Sequence, residues 1–135
     1  MNLTKLSLGI TAAVSAGFGI GCLIAPRQML KKIDVKAPSG TGKTELRAMY
    51  GGFELGLAAF FAYCAVNEEM AEAGLLAQTL GLGGLALGRL SGIAVDRPKP
   101  IMYPLFAAEA GAAVMGMVAL KKLRDQPRNS DTFVG

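Results

Sequence analysis

The sequence contains no histidine and no tryptophan, and only two of its 135 residues are cysteines. Without an imidazole, the chain has no side chain whose ordinary pKa lies near neutral pH and no histidine ligand for haem or zinc. Cys22 and Cys64 lie in separate apolar stretches and form neither a metal-ligand spacing nor a redox pair motif. We therefore expect no metal and no cofactor.

Charged residues are also scarce, at 18% of the chain, whereas soluble domains contain about a quarter. Hydrophobic residues make up 52%. The net charge of +4 comes from lysines and arginines that flank apolar blocks. Such flanking charge is typical of contact with lipid head groups. We therefore expect membrane lipids as partners and no nucleic acid.

Four apolar blocks are long enough to cross a bilayer, which takes about 20 helical residues. They cover residues 6–25, 45–66, 70–95 and 101–120. A chain of this length has room for one domain. The sequence therefore predicts an all-α fold, an integral membrane four-helix bundle over residues 1–124. Residues 125–135 are polar, and we expect them to form a disordered tail.

The segment between the first two blocks is basic. Pro26 ends the first block, and apolar and basic residues then separate onto different sides of residues 27–35, which predicts a short helix in the membrane interface. Residues 37–44, APSGTGKT, match a relaxed phosphate-loop pattern. A phosphate loop requires a strand and a helix of an α/β domain. We interpret the segment instead as a flexible turn before a helix capped by Thr44.

Glycines recur at close-packing spacing in the apolar blocks. Small residues four apart allow two membrane helices to approach closely. We therefore predict helix contacts at three such pairs: Gly17 and Gly21, Gly52 and Gly56, and Gly84 and Gly88.

Three charged side chains lie deep inside the blocks, Glu54, Arg89 and Glu109, and Arg47 and Tyr50 lie nearer the membrane surface in the same cluster. At 1.5 Å per residue, Glu54 should lie roughly 12–14 Å from the start of its block, Glu109 about 12 Å from the start of its block, and Arg89 about 9 Å from the end of its own. An unpaired charge at such depth costs at least ~2.5–3.5 kcal/mol. We therefore predict one buried cluster in which Arg89 is the common partner of Glu54 and Glu109.

Three interpretations of this cluster stay open. It could be an ion network that fixes the packing of the helices, or the polar part of a ligand pocket. It could also hold a protonated carboxyl group for acid–base chemistry, because burial and a neighbouring like charge both favour the neutral acid.

The segments ELRAMYGGFE (residues 45–54) and GGLALGR (residues 83–89) resemble an uncharacterised bacterial family of small four-helix membrane proteins in the DoxX-like group, which carries an E-x-R-x-x-Y-G-G-x-E signature. The resemblance covers residues 6–120. It implies a four-helix fold in the bacterial cytoplasmic (inner) membrane, and it singles out Glu45, Arg47, Tyr50, Glu54 and Arg89. Some members of the wider group are similar to membrane subunits associated with quinone or thiol oxidation.

The function we expect is binding of an amphipathic small molecule, a lipid or a quinone-like compound, with its head group at the charged residues. One alternative is an accessory or structural subunit that packs against other membrane subunits. A second alternative is an isomerase-like enzyme that uses the carboxyl group of Glu54 or Glu109. A ligand-binding protein should have a cavity beside the charges, whereas an accessory subunit should have a closely packed interior.

Overall fold

A computed structural model describes residues 2–127, which form helices and turns and contain no strand. Four helices are long and apolar enough to cross a membrane: Leu3–Ile24, Gly40–Val66, Glu68–Asp96 and Met102–Arg124. We refer to them as the first to fourth long helices. The predicted all-α fold with four membrane-length helices is confirmed. Most of the predicted tail, residues 128–135, lies outside the described part of the chain.

The second long helix has an irregular middle. It consists of an α-helix over Gly40–Leu46, a π-helix over Arg47–Gly52 and an α-helix over Phe53–Val66. Its first turn is capped by Ser39, whose hydroxyl accepts the Gly42 N–H at 3.1 Å. The helix thus begins five residues before the predicted start, and the prediction of a Thr44 cap is wrong. Thr44 lies inside the helix, where its hydroxyl donates to the Gly40 carbonyl.

A short helix, Pro26–Lys31, follows the first long helix. At the first position of a helix the backbone N–H has no hydrogen-bond partner within the helix. Proline, which lacks that N–H, is therefore well suited to this position. Leu30 points inward and is buried, whereas Arg27 and Lys31 are exposed. The structure therefore contains the predicted short helix, and its location in the membrane interface stays a prediction. Beyond it, Asp34 forms a 2.9 Å salt bridge with Lys99 on the loop before the fourth long helix.

The long helices pack as two close pairs, the first with the second and the third with the fourth. The pairs meet at the end of the bundle that carries the chain termini. There all four helices contribute to a buried cluster that consists of Leu8, Ala12, Phe61, Cys64, Leu75, Ala119 and Leu120. Gly74 is essential to this approach, because a Cβ added to it would lie 2.5 Å from the Cys64 Cβ.

A polar contact joins three of the long helices near the buried cluster. Gln78 is fully buried, and its Nε2 donates to the Ser7 hydroxyl and to the Ala112 carbonyl, both at 2.8 Å. Hydrogen bonds of this kind between membrane helices contribute about 0.6–2 kcal/mol each. The contact also holds the first and third helices, and hence the two pairs, in one register.

The glycine pairs predicted from spacing are not where the helices meet. A Cβ added to Gly17, Gly56, Gly84 or Gly88 would find no neighbouring atom within 4 Å, so those predictions are wrong. Contacts between the long helices fall instead at Gly19, Gly51, Gly74 and Gly116, and Gly21 packs against Met29 of the short helix. Spacing identifies a face with small side chains, but it does not specify which face a neighbouring helix covers.

Candidate functional site

Arg89 and Glu109 form a two-point ion pair between the third and fourth long helices. Arg89 Nε donates to Glu109 Oε2 at 2.8 Å, and Nη2 donates to Oε1 at 2.5 Å. The side chains are 23% and 16% exposed. The remaining nitrogen, Nη1, contacts the Met102 sulfur at 3.1 Å. Because both oxygens of Glu109 are used, this geometry neutralises its carboxylate within one helix pair.

Arg47 points away from that pair. Its Nε donates to the Leu23 carbonyl at the end of the first long helix, at 3.3 Å, and its side chain is exposed. In an α-helix, Arg47 would share a face with Tyr50 and Glu54. The π-helix over Arg47–Gly52 places an extra residue in the turn, which rotates Arg47 relative to the residues that follow.

Glu54 does not share Arg89 with Glu109. Because the second long helix begins at Gly40, Glu54 lies roughly 20 Å from its start, close to its middle, whereas Arg89 and Glu109 lie about 10 Å from their nearer helix ends. Glu54 has no salt bridge or hydrogen bond to another residue within 2–127. The predicted pairing of Arg89 with Glu109 is present, but the prediction of a single buried Glu/Arg cluster is wrong, because Glu54 and Arg47 do not join that pair.

An open cavity of about 500 Å³ lies between the second and third long helices, and the first long helix contributes Ser15 to it. Its polar lining consists of Ser15, Tyr50 and Glu54. Its apolar lining consists of Met49, Phe53, Leu57, Phe60, Phe61, Ala77, Gly81, Leu82 and Leu85. The volume is within the range of about 300–1,000 Å³ that small-molecule sites occupy. The site therefore combines a large apolar surface with a few polar groups, as such sites usually do.

Tyr50 is held in place by an aromatic contact. Its ring meets Phe18 of the first long helix edge to face, with the ring centres 6.3 Å apart. One turn further along the helix, Glu54 lines the same cavity. A phenol and a carboxyl group thus form a short polar strip on an apolar wall.

This polar strip can bind a polar head group or exchange a proton with it. An ionised carboxylate only accepts hydrogen bonds, whereas a protonated carboxyl group can also donate one. Within residues 2–127, no group of three or more histidine, cysteine, aspartate or glutamate side chains could hold a metal ion. Cys22 and Cys64 are both buried free thiols.

Sequence reasoning identified Tyr50 and Glu54 but missed the rest of the cavity. Ser15 could have been found, because a polar residue inside an apolar block is a signal. No sequence signal marks the lining residues of the third helix, which are Ala77, Gly81, Leu82 and Leu85. In sequence, an apolar residue that lines a cavity looks the same as one that faces lipid.

The structure is that of an all-helical protein of integral-membrane type. It has four membrane-length helices in two close pairs, and an apolar cavity lined by a carboxyl group. The chain belongs to the family described as a domain of unknown function, DUF4345, whose profile covers residues 3–120. No match was found among curated proteins or among solved structures.

Proposed function

We propose that this membrane protein binds an amphipathic small molecule, a lipid or a quinone-like compound, in the cavity between the second and third long helices. The observation that carries the proposal is Glu54 on the wall of a cavity of about 500 Å³, with no hydrogen bond or salt bridge to another residue within 2–127. A charge without a partner at this depth is costly. A bound head group that hydrogen-bonds to Glu54 would offset that cost.

The lining favours a ligand with a small polar head and an apolar body. Phe53, Leu57 and Leu85 offer surface for a chain or ring, while Tyr50 and Glu54 offer polar contacts. A quinol or an alcohol can donate to a carboxylate, and a quinone carbonyl can accept from a protonated carboxyl group or from the Tyr50 hydroxyl. The same two residues can therefore bind either redox form of a quinone-like ligand.

The π-helix supports a functional role for this region. Such segments are rare and occur frequently at functional sites. Here the π-helix over Arg47–Gly52 includes Tyr50 and ends just before Glu54. As part of the same proposal, the protein is located in the bacterial inner membrane, and its family is grouped with the DoxX-like proteins.

The test is native mass spectrometry from mild detergent, with a short-chain benzoquinone, its quinol and a monoacylglycerol as probes. Gly81→Leu should abolish binding, because Gly81 lines the cavity and a leucine side chain would fill part of it. Gly84→Leu is the matched control: it adds the same side chain one turn away, at a glycine that does not line the cavity and has open space around it.

Glu54→Gln should weaken binding by at least about tenfold, because hydrogen bonds to charged groups contribute about 1.5–3 kcal/mol. If both leucine variants retained the probes equally, the cavity would not be the binding site. If binding were independent of Glu54, the head group would lie elsewhere.

A second candidate, an accessory subunit of a larger membrane complex, is favoured by one observation. Gly84 and Gly88 form an exposed face of small residues on the third long helix, with nothing within 4 Å of an added Cβ. Small residues of this kind allow another membrane helix to dock closely. Gly88→Leu should then dissociate a co-purifying subunit while leaving the melting temperature of the isolated protein unchanged.

A further inference from the structure

A second polar and apolar site lies in the loop between the first and second long helices, apart from the cavity discussed above. It consists of two adjoining cavities of about 440 and 360 Å³ that share Pro26, Arg27 and Lys43. Five basic side chains line the two cavities together: Arg27, Lys31, Lys36, Lys43 and Arg47. We call this region the loop-1 basic site.

The positive charge of this site is largely uncompensated. Its one acidic residue, Asp34, is bound by Lys99 from another loop at 2.9 Å. Arg27, Lys31, Lys36 and Lys43 form no salt bridge with any residue of the described chain. Three of these cations come from the segment between the long helices, and Lys43 and Arg47 come from the start of the second long helix. Five cations around one site repel one another, so a bound anion would stabilise this region as well as be held by it.

The shape of the site indicates what kind of anion fits. The floor of the larger cavity is apolar and is formed by Pro26, Leu30, Val35 and Leu46, of which Leu30 is 1% exposed. The basic residues Arg27, Lys31 and Lys36 of the same lining are exposed and form its rim. A small inorganic anion would use only the basic rim, whereas an anionic amphiphile would use both parts. The lining therefore matches a charged head group joined to apolar chains.

The location of the site supports a lipid as the source of that anion. The loop connects two helices that are each long and apolar enough to cross a membrane, and a loop in that position lies at head-group depth when its helices span the bilayer. Basic residues immediately beyond membrane helices typically bind anionic lipids.

The phosphate-loop-like sequence in this loop does not alter that assignment. Ala37, Pro38 and Lys43 line the larger cavity, but the Ser39 hydroxyl already accepts the Gly42 N–H at the start of the helix. A phosphate loop binds its phosphates through free backbone N–H groups. Here Ser39 already binds the N–H groups of Gly42 and Lys43, and the charged contacts available to an anion are the basic side chains.

We propose that the loop-1 basic site binds the phosphate group of an anionic phospholipid, with Arg27 and Lys43 as its central ligands because both line the two cavities. Lys31 and Lys36 extend the larger cavity, and Arg47 the smaller one. Phosphate is also present in soluble anions, so the test must distinguish the two sources.

The experiment measures retained lipid by native mass spectrometry and melting temperature in a zwitterionic detergent, with phosphatidylglycerol or phosphatidylcholine added. The wild-type protein should prefer phosphatidylglycerol. Arg27→Gln with Lys43→Gln should weaken phosphatidylglycerol binding by about 25-fold, or about fivefold for each basic side chain. If that variant does not fold, Lys31→Gln with Lys36→Gln replaces it. This second variant should also weaken phosphatidylglycerol binding.

Lys121→Gln with Lys122→Gln is the matched control, because it removes two charges at the opposite end of the bundle, outside the site. It should change phosphatidylglycerol binding less than twofold. An equal loss in the control and loop variants would overturn the proposal, because general charge would then explain the binding. So would an absence of preference for phosphatidylglycerol over phosphatidylcholine.

A separate arm adds inorganic phosphate or ATP at matched ionic strength, without lipid. No binding at millimolar concentration supports a lipid source. Binding of either anion that depends on Arg27 and Lys43, with no binding of phosphatidylglycerol, would overturn the lipid assignment in favour of a soluble phosphate.

Discussion

The two ends of this helical bundle are held together in different ways. At the end that carries the chain termini, Leu8, Cys64, Leu75 and Leu120 come from four different helices and bury one another. At the opposite end the closest contacts lie within a helix pair, such as Gly19 against Gly51 and Arg89 with Glu109.

Side-chain size and the distribution of polar partners explain this difference. Between the pairs at the packed end stand Gly74 and Cys64, which allow the backbones to approach. Along the cavity, Phe60 and Leu82 contribute bulky side chains to the lining, and a Cβ added to Gly81 of the third helix would find no neighbouring atom within 4 Å. Gln78 bonds across the pairs, whereas Arg89 finds its partner inside one pair and does nothing to close the gap. A cavity can thus persist beside a well-packed core.

The largest effect should come from breaking the Arg89–Glu109 ion pair. Arg89→Leu leaves the Glu109 carboxylate shielded and without its partner, and loss of one member of such a pair typically costs about 3–5 kcal/mol. Arg89→Leu with Glu109→Gln should recover much of that loss. The measurement is the melting temperature in one detergent.

The same series distinguishes the observed pair from a shared cluster. Adding Glu54→Gln to the double variant should give no further recovery, because Glu54 does not pair with Arg89. If adding Glu54→Gln raised the melting temperature further, Glu54 would depend on Arg89 for its charge partner. Arg89→Lys should fall between the wild type and Arg89→Leu, because an ammonium group cannot make two parallel hydrogen bonds to one carboxylate.

A smaller effect should separate the two ends of the third long helix. Gly74→Ala places a Cβ 2.5 Å from the Cys64 Cβ, and overpacking of this kind typically costs about 1–3 kcal/mol. Gly88→Ala adds the same methyl group where no atom lies within 4 Å. It should leave stability unchanged or raise it slightly, since alanine is the better helix former. Thermal unfolding of the two variants side by side checks this prediction. Equal destabilisation would mean that the third helix is packed as closely around Gly88 as around Gly74.

The smallest effect concerns the salt bridge between Asp34, in the loop after the first long helix, and Lys99, in the loop before the fourth. Lys99, through its hydrogen bond and then its charge, lowers the pKa of Asp34 below the ordinary value of 3.8. The pair therefore contributes stability above that value, and the contribution is lost as the pH falls through the lowered pKa. Lys99→Gln should return the Asp34 pKa to its ordinary range with little change in melting temperature, because exposed ion pairs contribute little. NMR titration of the Asp34 carboxyl measures this; an unchanged pKa in Lys99→Gln would show that the two loops are not linked.

Much of the fold could be predicted because its causes are local. Runs of apolar residues define the four long helices, and Pro26 ends the first of them. The start of the second long helix was predicted five residues late, because hydropathy begins at the apolar block whereas the helix begins at its Ser39 cap, inside a polar segment. That single shift also misplaced the depth of Glu54 relative to Arg89.

The candidate site could be predicted only in part. Tyr50 and Glu54 were found because polar residues in an apolar block are conspicuous. Their separation from Arg47 could not be found, because the π-helix that rotates the chain has no clear sequence signal. The opposite wall of the cavity, including Gly81 and Leu85, is made of residues that look like any lipid-facing side chain.

Hydropathy and chain length are enough to predict four membrane-length helices, a basic first loop and a few isolated charges among apolar residues. They do not predict which charges pair, which glycines lie at helix contacts or where the cavity lies. Pairing and packing depend on the rotation and depth of each helix relative to its neighbours, and one capping residue or one π-helical turn alters both.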